Sequence, residues 1–219
     1  MDFAKARLNM VQNQVAPHKV FDKRILEAML WVPRHEFVSR DWQPVAYLDR
    51  RLPLNEEREM MQANSLARML QLAEITDRDT VLEIACGSGY STAILCQLAD
   101  YVVGIDSIPV LVNQAALNLD KLGLKNFALR ANSLLSGAAE LAPFNVIMIN
   151  GILPSLATSS ILKQLAKGGR LVCVEMVEGI PRAVCYLNTG HSLIGRSEHF
   201  EVYAPVLGVN SSIEIKNLM

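Results

Sequence analysis

The 219-residue chain has no uninterrupted apolar run that approaches the roughly 18 residues of a membrane span, and its opening Met1-Asp2-Phe3-Ala4-Lys5 lacks the apolar stretch of a signal peptide. No membrane partner is expected, and a cytoplasmic location is. Charge of one sign is also missing: 21 basic residues stand against 22 acidic ones, with a pI near 6.4. That balance leaves no electrostatic footprint for a polyanion, so nucleic acid is not the expected ligand. Cysteine is scarce. Cys86, Cys96, Cys173 and Cys185 form no CxxC pair, and His18, His35, His191 and His199 show no zinc-like spacing to them. Reduced, mostly buried thiols and no metal centre are expected, with His35 and His199 as structural or surface residues. Internal repeats, low-complexity tracts and flexible linkers are absent too. With 51% hydrophobic and 20% charged residues, the chain can bury one substantial core and is too short for two full-sized domains. One compact domain is expected, with residues 1–75 as a helical elaboration carrying a long loop and residues 76–219 as the ligand-binding core.

What is present begins with helical periodicity. Phe3, Leu8, Val11 and Val15 recur at helical spacing, as do Ile25, Leu26, Met29 and Leu30 after an Asp22 cap and before Pro33. A third helix is expected from about Asn64 to Ala73. Between them, residues 38–62 hold Trp42, Pro44, Tyr47 and Pro53 with no clean period, which predicts a long ordered loop. From residue 80, short apolar segments (80–84, 101–105, 127–130, 146–149 and 170–175) alternate with amphipathic stretches near 90–99, 107–122 and 155–166. Alternation of this kind predicts a parallel sheet covered on both faces. Two further strand-like segments, near 182–187 and 197–204, flank the turn-prone Asn188-Thr189-Gly190. They predict an antiparallel hairpin closing one edge of the sheet.

The segment richest in chemistry is Val81-Leu82-Glu83-Ile84-Ala85-Cys86-Gly87-Ser88-Gly89-Tyr90, an apolar strand running into a small-residue turn and then an apolar helix. Gly87 and Gly89 allow a sharp bend and let a ligand approach main-chain N–H groups, as a nucleotide-binding turn requires. Asp106 closes the next strand, Val102-Val103-Gly104-Ile105, 17 residues past Gly89. A carboxylate there is placed to bind ribose hydroxyls, or else to cap the helix that starts near Ser107. A dinucleotide fingerprint needs a third glycine, and the register from Gly87 puts Thr92 there. A nicotinamide-linked oxidoreductase is therefore the weakest reading.

The pattern acidic, x, small, x, Gly, x, Gly headed by Glu83 resembles the first motif of S-adenosylmethionine methyltransferases, with Ala85 in place of the usual first glycine. Ala131-Asn132 falls where such enzymes hold the adenine amino group, and Leu165-Ala166-Lys167-Gly168-Gly169-Arg170-Leu171 resembles the turn into their fifth strand. The N-terminal series Leu26-Glu27-Ala28-Met29, Val32-Pro33-Arg34-His35-Glu36-Phe37-Val38, Ala46-Tyr47 and Leu52-Pro53-Leu54 is similar to the protein-L-isoaspartate O-methyltransferase family, and the likeness spans about residues 6–175. The resemblance implies a Rossmann-like class I methyltransferase fold: a mostly parallel seven-stranded sheet, a C-terminal antiparallel hairpin and an N-terminal helical elaboration. It implies S-adenosyl-L-methionine as cofactor, held by Glu83, Ala85, Gly87, Ser88, Gly89, Asp106, Ser107, Asn132 and Ser133, and a protein or peptide partner methylated at an isoaspartyl carboxylate for repair.

The chain departs from that family after Leu54, where a glycine-rich stretch precedes substrate-contacting threonine and serine. Here Asn55-Glu56-Glu57-Arg58-Glu59-Met60-Met61-Gln62-Ala63 stands instead, with Glu59 for the threonine, Met61 for the serine, Ala63 for the proline and Gln62 matching. Glu59, Met61 and Gln62 are the positions where catalytic contacts are expected. Met61 has no hydrogen to donate, and Glu56, Glu57 and Glu59 repel an anion. Arg58 offsets them either by pairing with those glutamates or by holding a carboxylate. Two function classes remain open: a methyltransferase with altered acceptor choice, and a catalytically silent protein that binds the cofactor as a sensor or interaction module.

Overall fold

The computed structural model describes residues 1–153, 160–190 and 194–208. Helix α1 (Phe3–Met10) starts where the Asp2 carboxylate accepts the Lys5 N–H at 3.0 Å, and it runs on through a π-helical turn, Val11–Val15. Helix α2 (Lys23–Trp31) is capped in the same way by Asp22, which accepts the Arg24 N–H at 2.9 Å, and it stops as Val32 turns extended before Pro33. The 38–62 segment is ordered, with a 3-10 helix (Arg40–Val45) and a two-residue antiparallel pair, β1 (Leu52–Pro53) with β2 (Glu59–Met60). Helix α3 (Ala63–Leu72) buries Leu66, Met69 and Leu70.

The remaining elements are β3 (Thr80–Ile84), α4 (Tyr90–Leu95), β4 (Tyr101–Asp106), α5 (Pro109–Lys121), β5 (Phe127–Ala131), β6 (Phe144–Ile152), β7 (Leu165–Val177), β8 (Ile180–Asn188) and β9 (Ile194–Glu201). They build a seven-stranded sheet in the order β5-β4-β3-β6-β7-β8-β9. β5 to β7 are parallel, and β8 and β9 are antiparallel additions. Because side chains alternate along a strand, Val81, Val102, Val146 and Val172 face one core with α1 to α4, while Leu82, Val103, Ile147 and Leu171 face a second core closed by Leu134, Phe144, Ile161 and Leu207. Strand order reverses beside β3, which lies between β4 and β6. In open α/β sheets that reversal is where ligands bind, outside the carboxyl ends of the strands.

Two expected boundaries move. The helix expected over 90–99 ends at Leu95, because the Asn126 side-chain amide reaches across from another loop and donates to the carbonyls of Cys96, Ala99 and Asp100. The helix expected over 155–166 is, in its described part, only a 3-10 turn (Leu162–Gln164), since β7 begins at Leu165 and pairs with Phe144 before a bulge resets the register. Residues 155–159 of that helix lie outside the described residues. Among the described residues no helix is long and apolar enough to cross a membrane.

Candidate functional site

The turn after β3 is built on left-handed backbone: Ala85, Gly87 and Gly89 have φ of 65°, 55° and 93°. A Cβ on Gly89 would stand 3.0 Å from the Ala115 Cβ and 3.2 Å from its Cα, so glycine also lets α5 pack against the turn. Ser88 fastens the bend. Its hydroxyl donates to the Phe37 carbonyl at 2.6 Å, and its own carbonyl accepts from the Asn118 amide at 2.9 Å.

Asp106, at the end of β4, lies beside this turn as expected and is fully buried. Its carboxylate is not free for a ribose. One oxygen accepts the Gly87 N–H at 2.9 Å and the Arg58 Nε at 3.2 Å; the other accepts the Arg58 Nη2 at 2.9 Å and the Ile108 N–H at 3.1 Å. Arg58 Nη2 also donates to the Ser107 hydroxyl at 3.2 Å, and the Arg58 side chain is only 3% exposed. Asp106 thus accepts the Ile108 N–H just ahead of α5 and holds the Arg58 guanidinium on the carboxylate expected to bind ribose hydroxyls. Of the two roles expected for Arg58, pairing with the glutamates of its own loop is not what the structure has; it holds a carboxylate with two nitrogens, and that carboxylate is Asp106. A tight turn aims Arg58 inward, with the Leu54 N–H bound to the Arg58 carbonyl at 2.8 Å and the Asn55 side chain accepting the N–H groups of Glu57 and Arg58.

The other loop positions do not converge on one point. Glu59 forms a partly exposed ion pair with Arg51 at 2.8 Å, Met61 is buried in the core, and Gln62 donates to the Asp49 carbonyl at 2.8 Å. Asn132 and Ser133 follow β5, next to the end of β4. The Asn132 oxygen accepts the Ser133 N–H at 2.9 Å and its amide donates to the Gly137 carbonyl at 2.8 Å. The acceptor expected to be open for an adenine amino group is thus used by its own turn, because an Asn after a strand readily folds back on the main chain. His35 bonds the Tyr47 hydroxyl at 2.8 Å and stacks on Phe3 at 3.9 Å, which ties α1 to the 38–62 segment, and burial lowers its pKa.

Glu83 does not face the cleft. It is fully buried beneath the turn, accepting from the Thr92 hydroxyl at 2.5 Å and from the Asn150 amide at 2.6 Å. Burial raises its pKa, and hydrogen bonds from Ser91, Thr92 and Asn150 pull the other way. A carboxyl raised in the folded state contributes stability that is fully present below its unfolded value and is lost as pH rises through the folded value. Glu83→Gln removes that titration, so urea unfolding from pH 5 to pH 8 is expected to shift in the variant's favour as pH rises. A wild-type-to-variant difference that stays flat with pH would show that Glu83 ionises without cost.

Three residues of this site were not singled out in the sequence. Asn150 lies within the apolar β6, two residues before its end, and a polar residue breaking such a run at the sheet's reversal point was the signal available. Tyr90 opens α4, and Arg34 sits in the motif Val32–Val38. The Asn150 side-chain Oδ1 is buried without a partner; burial raises the Tyr90 pKa, and the neighbouring Arg34 guanidinium pulls the other way. Orphans of this kind are rare and call for a ligand, water or strain to explain them. Tyr90 and Asn150 line a gap of about 20 Å³ that Leu54, Met60 and Met61 close from the other side. It has room for one or two waters, against the roughly 300 Å³ or more of a small-molecule site.

A protein-family profile, Protein-L-isoaspartate(D-aspartate) O-methyltransferase (PCMT), matches residues 5–189. The chain is 41% identical over 172 residues to the protein-L-isoaspartate O-methyltransferase of Geobacter metallireducens, covering 78% of this chain and 79% of that one. It is 36% identical over 199 residues to protein-L-isoaspartate O-methyltransferase 1 of Syntrophobacter fumaroxidans, covering 87% and 92%. A solved protein-L-isoaspartate O-methyltransferase superposes with a TM-score of 0.80 at 21% identity, covering 94% of this chain and 66% of that one. A crystal structure from Plasmodium falciparum in complex with S-adenosyl-L-homocysteine superposes with a TM-score of 0.76 at 18% identity, covering 92% and 98%.

Proposed function

Because the chain belongs to the protein-L-isoaspartate O-methyltransferase family and has its class I methyltransferase fold, we propose that it moves a methyl group from S-adenosylmethionine to a carboxylate of a protein or peptide, with isoaspartyl as the first acceptor to test. The observation that carries this reading is the convergence of the Gly87–Gly89 turn, Asp106 and the unsatisfied Asn150 at the sheet's reversal point. The groups at the turn suit an adenosyl ligand: a carboxylate at the end of β4 for ribose hydroxyls, and an orphaned acceptor beside the turn. In the present loop conformation Arg58 and Leu54 occupy that space. The four cysteines are free and three are buried, which fits action in a reducing cytosol.

When bound, the cofactor supplies an electrophilic methyl group on a sulfonium. The acceptor carboxyl, with an ordinary pKa of about 4, is ionised at neutral pH, so this chain needs no general base. Its residues have to align the carboxylate and exclude water. Glu59 and Met61 give no donor for that purpose, so the loop substitutions redirect or slow acceptor capture. The same two substitutions favour a second reading, a protein that binds the cofactor and transfers nothing.

Labelled S-adenosylmethionine incubated with an isoaspartyl peptide, and in parallel with cell lysate, separates the two readings. Label appearing in either acceptor is the expected result; cofactor binding with no transfer to anything makes the silent module correct. Glu59→Thr with Met61→Ser is expected to raise isoaspartyl methylation about tenfold or more, the worth of one regained hydrogen bond to a charged group at about 1.5–3 kcal/mol. No gain from the pair would mean that the acceptor surface has diverged beyond the loop.

A further inference from the structure

The structure seats a cation of the protein itself on the carboxylate that a nucleoside cofactor needs. We propose that Arg58 is a built-in plug of the nucleoside pocket, and that the segment from Leu54 to Met60 has to swing out before an adenosyl ligand can enter. The proposal rests on the reading that this cleft takes such a ligand.

Asp106 accepts four hydrogen bonds on its two oxygens, two of them from Arg58, so a ribose hydroxyl can bond it only by displacing the guanidinium. The space is contested as well as the charge. The Leu54 Cδ1 lies 2.7 Å from where a Cβ on Gly87 would stand, on the open side of the turn that the missing side chain leaves for a ligand. Under the loop the gap is about 20 Å³, while a wider opening of about 620 Å³, lined by Phe37, Leu54, Asn55, Ser88 and Leu111, lies alongside it.

The segment is built to move as a unit. Its hydrogen bonds are mostly internal: the Leu54 and Asn55 N–H groups to the Arg58 carbonyl, the Asn55 side chain to the Glu57 and Arg58 N–H groups, and the two-residue β1–β2 pairing. Its far end is fixed, because Arg34 Nη2 holds the Met61 carbonyl at 2.6 Å and Gln62 holds the Asp49 carbonyl. A guanidinium that leaves Asp106 needs a new counter-charge, and Glu56, Glu57 and Glu59 stand in the same loop, the first two exposed to solvent at their own positions. This gives the acidic run a role other than repelling an acceptor. The ligand's apparent Kd is then its intrinsic Kd divided by the fraction of chains with the loop open.

Titration calorimetry with S-adenosylhomocysteine on the wild type, Arg58→Ala and Arg58→Gln tests the plug, with hydrogen exchange on the wild type as a readout independent of turnover. Both variants are expected to bind about tenfold tighter or more, as an open fraction of about a tenth or less requires. Ligand added to the wild type is expected to speed exchange of the 54–60 amides while slowing exchange at 85–89, the reverse of general stabilisation. Equal affinities, or weaker binding by the variants, would overturn the plug and leave the cofactor reading standing. Protection of 54–60 on ligand binding overturns it too, and that measurement decides if the variants do not fold. If the wild type and well-folded variants all fail to bind, the cofactor reading falls and the plug falls with it.

Discussion

Asp106→Ala is expected to destabilise the protein by about 3–5 kcal/mol, the cost of breaking a buried ion pair by removing one partner. Arg58 would be left as a buried cation with only the Ser107 hydroxyl, and the N–H groups of Gly87 and Ile108 would lose their acceptor. For a chain of this size each kcal/mol is worth about 2–4 °C, so the melting temperature should fall by about 10 °C. Arg58→Met with Asp106→Leu removes both charges while keeping apolar volume, and it is expected to recover most of that loss. Thermal unfolding of Arg58→Met, Asp106→Leu and the double variant forms a cycle in which the coupling energy reads out the pair. If Asp106→Ala melts with the wild type, the two side chains do not meet in solution, and the closed loop is wrong.

That expectation differs from the ones the sequence supports by itself, in which Asp106 is a ribose ligand whose loss weakens cofactor binding or a cap of the helix near Ser107. Asp106 is legible because a charge that ends an apolar strand just after a glycine turn breaks both patterns at once. Its partner is not, since Arg58 is 48 residues away and has three glutamates of its own loop as nearer candidates. Local charge patterning points to a solvated loop; the Asn55 turn, which aims Arg58 inward, overrides it. The same contrast runs through the fold. The starts of α1 and α2 and all of β3 are readable, because caps and periodicity are properties of adjacent residues. The end of α4 is set by Asn126 and the start of β7 by a bulge against β6, both long-range events that leave no mark on the local sequence. Asn132 shows the limit for side chains: its type and position suit an adenine contact, and its own turn takes one bond from each end of the amide.

Arg34 carries the second large expectation. It is fully buried; its Nε donates to the Ala46 carbonyl at 3.0 Å, its Nη2 to the Met61 carbonyl at 2.6 Å, and its guanidinium carbon lies 4.6 Å from the centre of the Tyr90 ring. Burial lowers its pKa, and no carboxylate pairs with it among the described residues. Arg34→Ala strands two buried carbonyls and leaves a cavity, which together cost about 3–5 kcal/mol, partly offset by removing an unpaired buried charge. A net loss of about 3 kcal/mol in urea unfolding is expected. Arg34→Lys should lose nearly as much, because one compact ammonium cannot reach both carbonyls and is harder to desolvate than a guanidinium. Arg34→Met keeps the volume without charge or donors and should lose about half as much. Since Met61 is the fixed end of the segment that Arg58 closes, Arg34→Met is also expected to tighten S-adenosylhomocysteine binding while it weakens the fold. Stability and affinity that fall together in this variant would place Arg34 among the groups that shape the open pocket and would remove it as the anchor of the closed one.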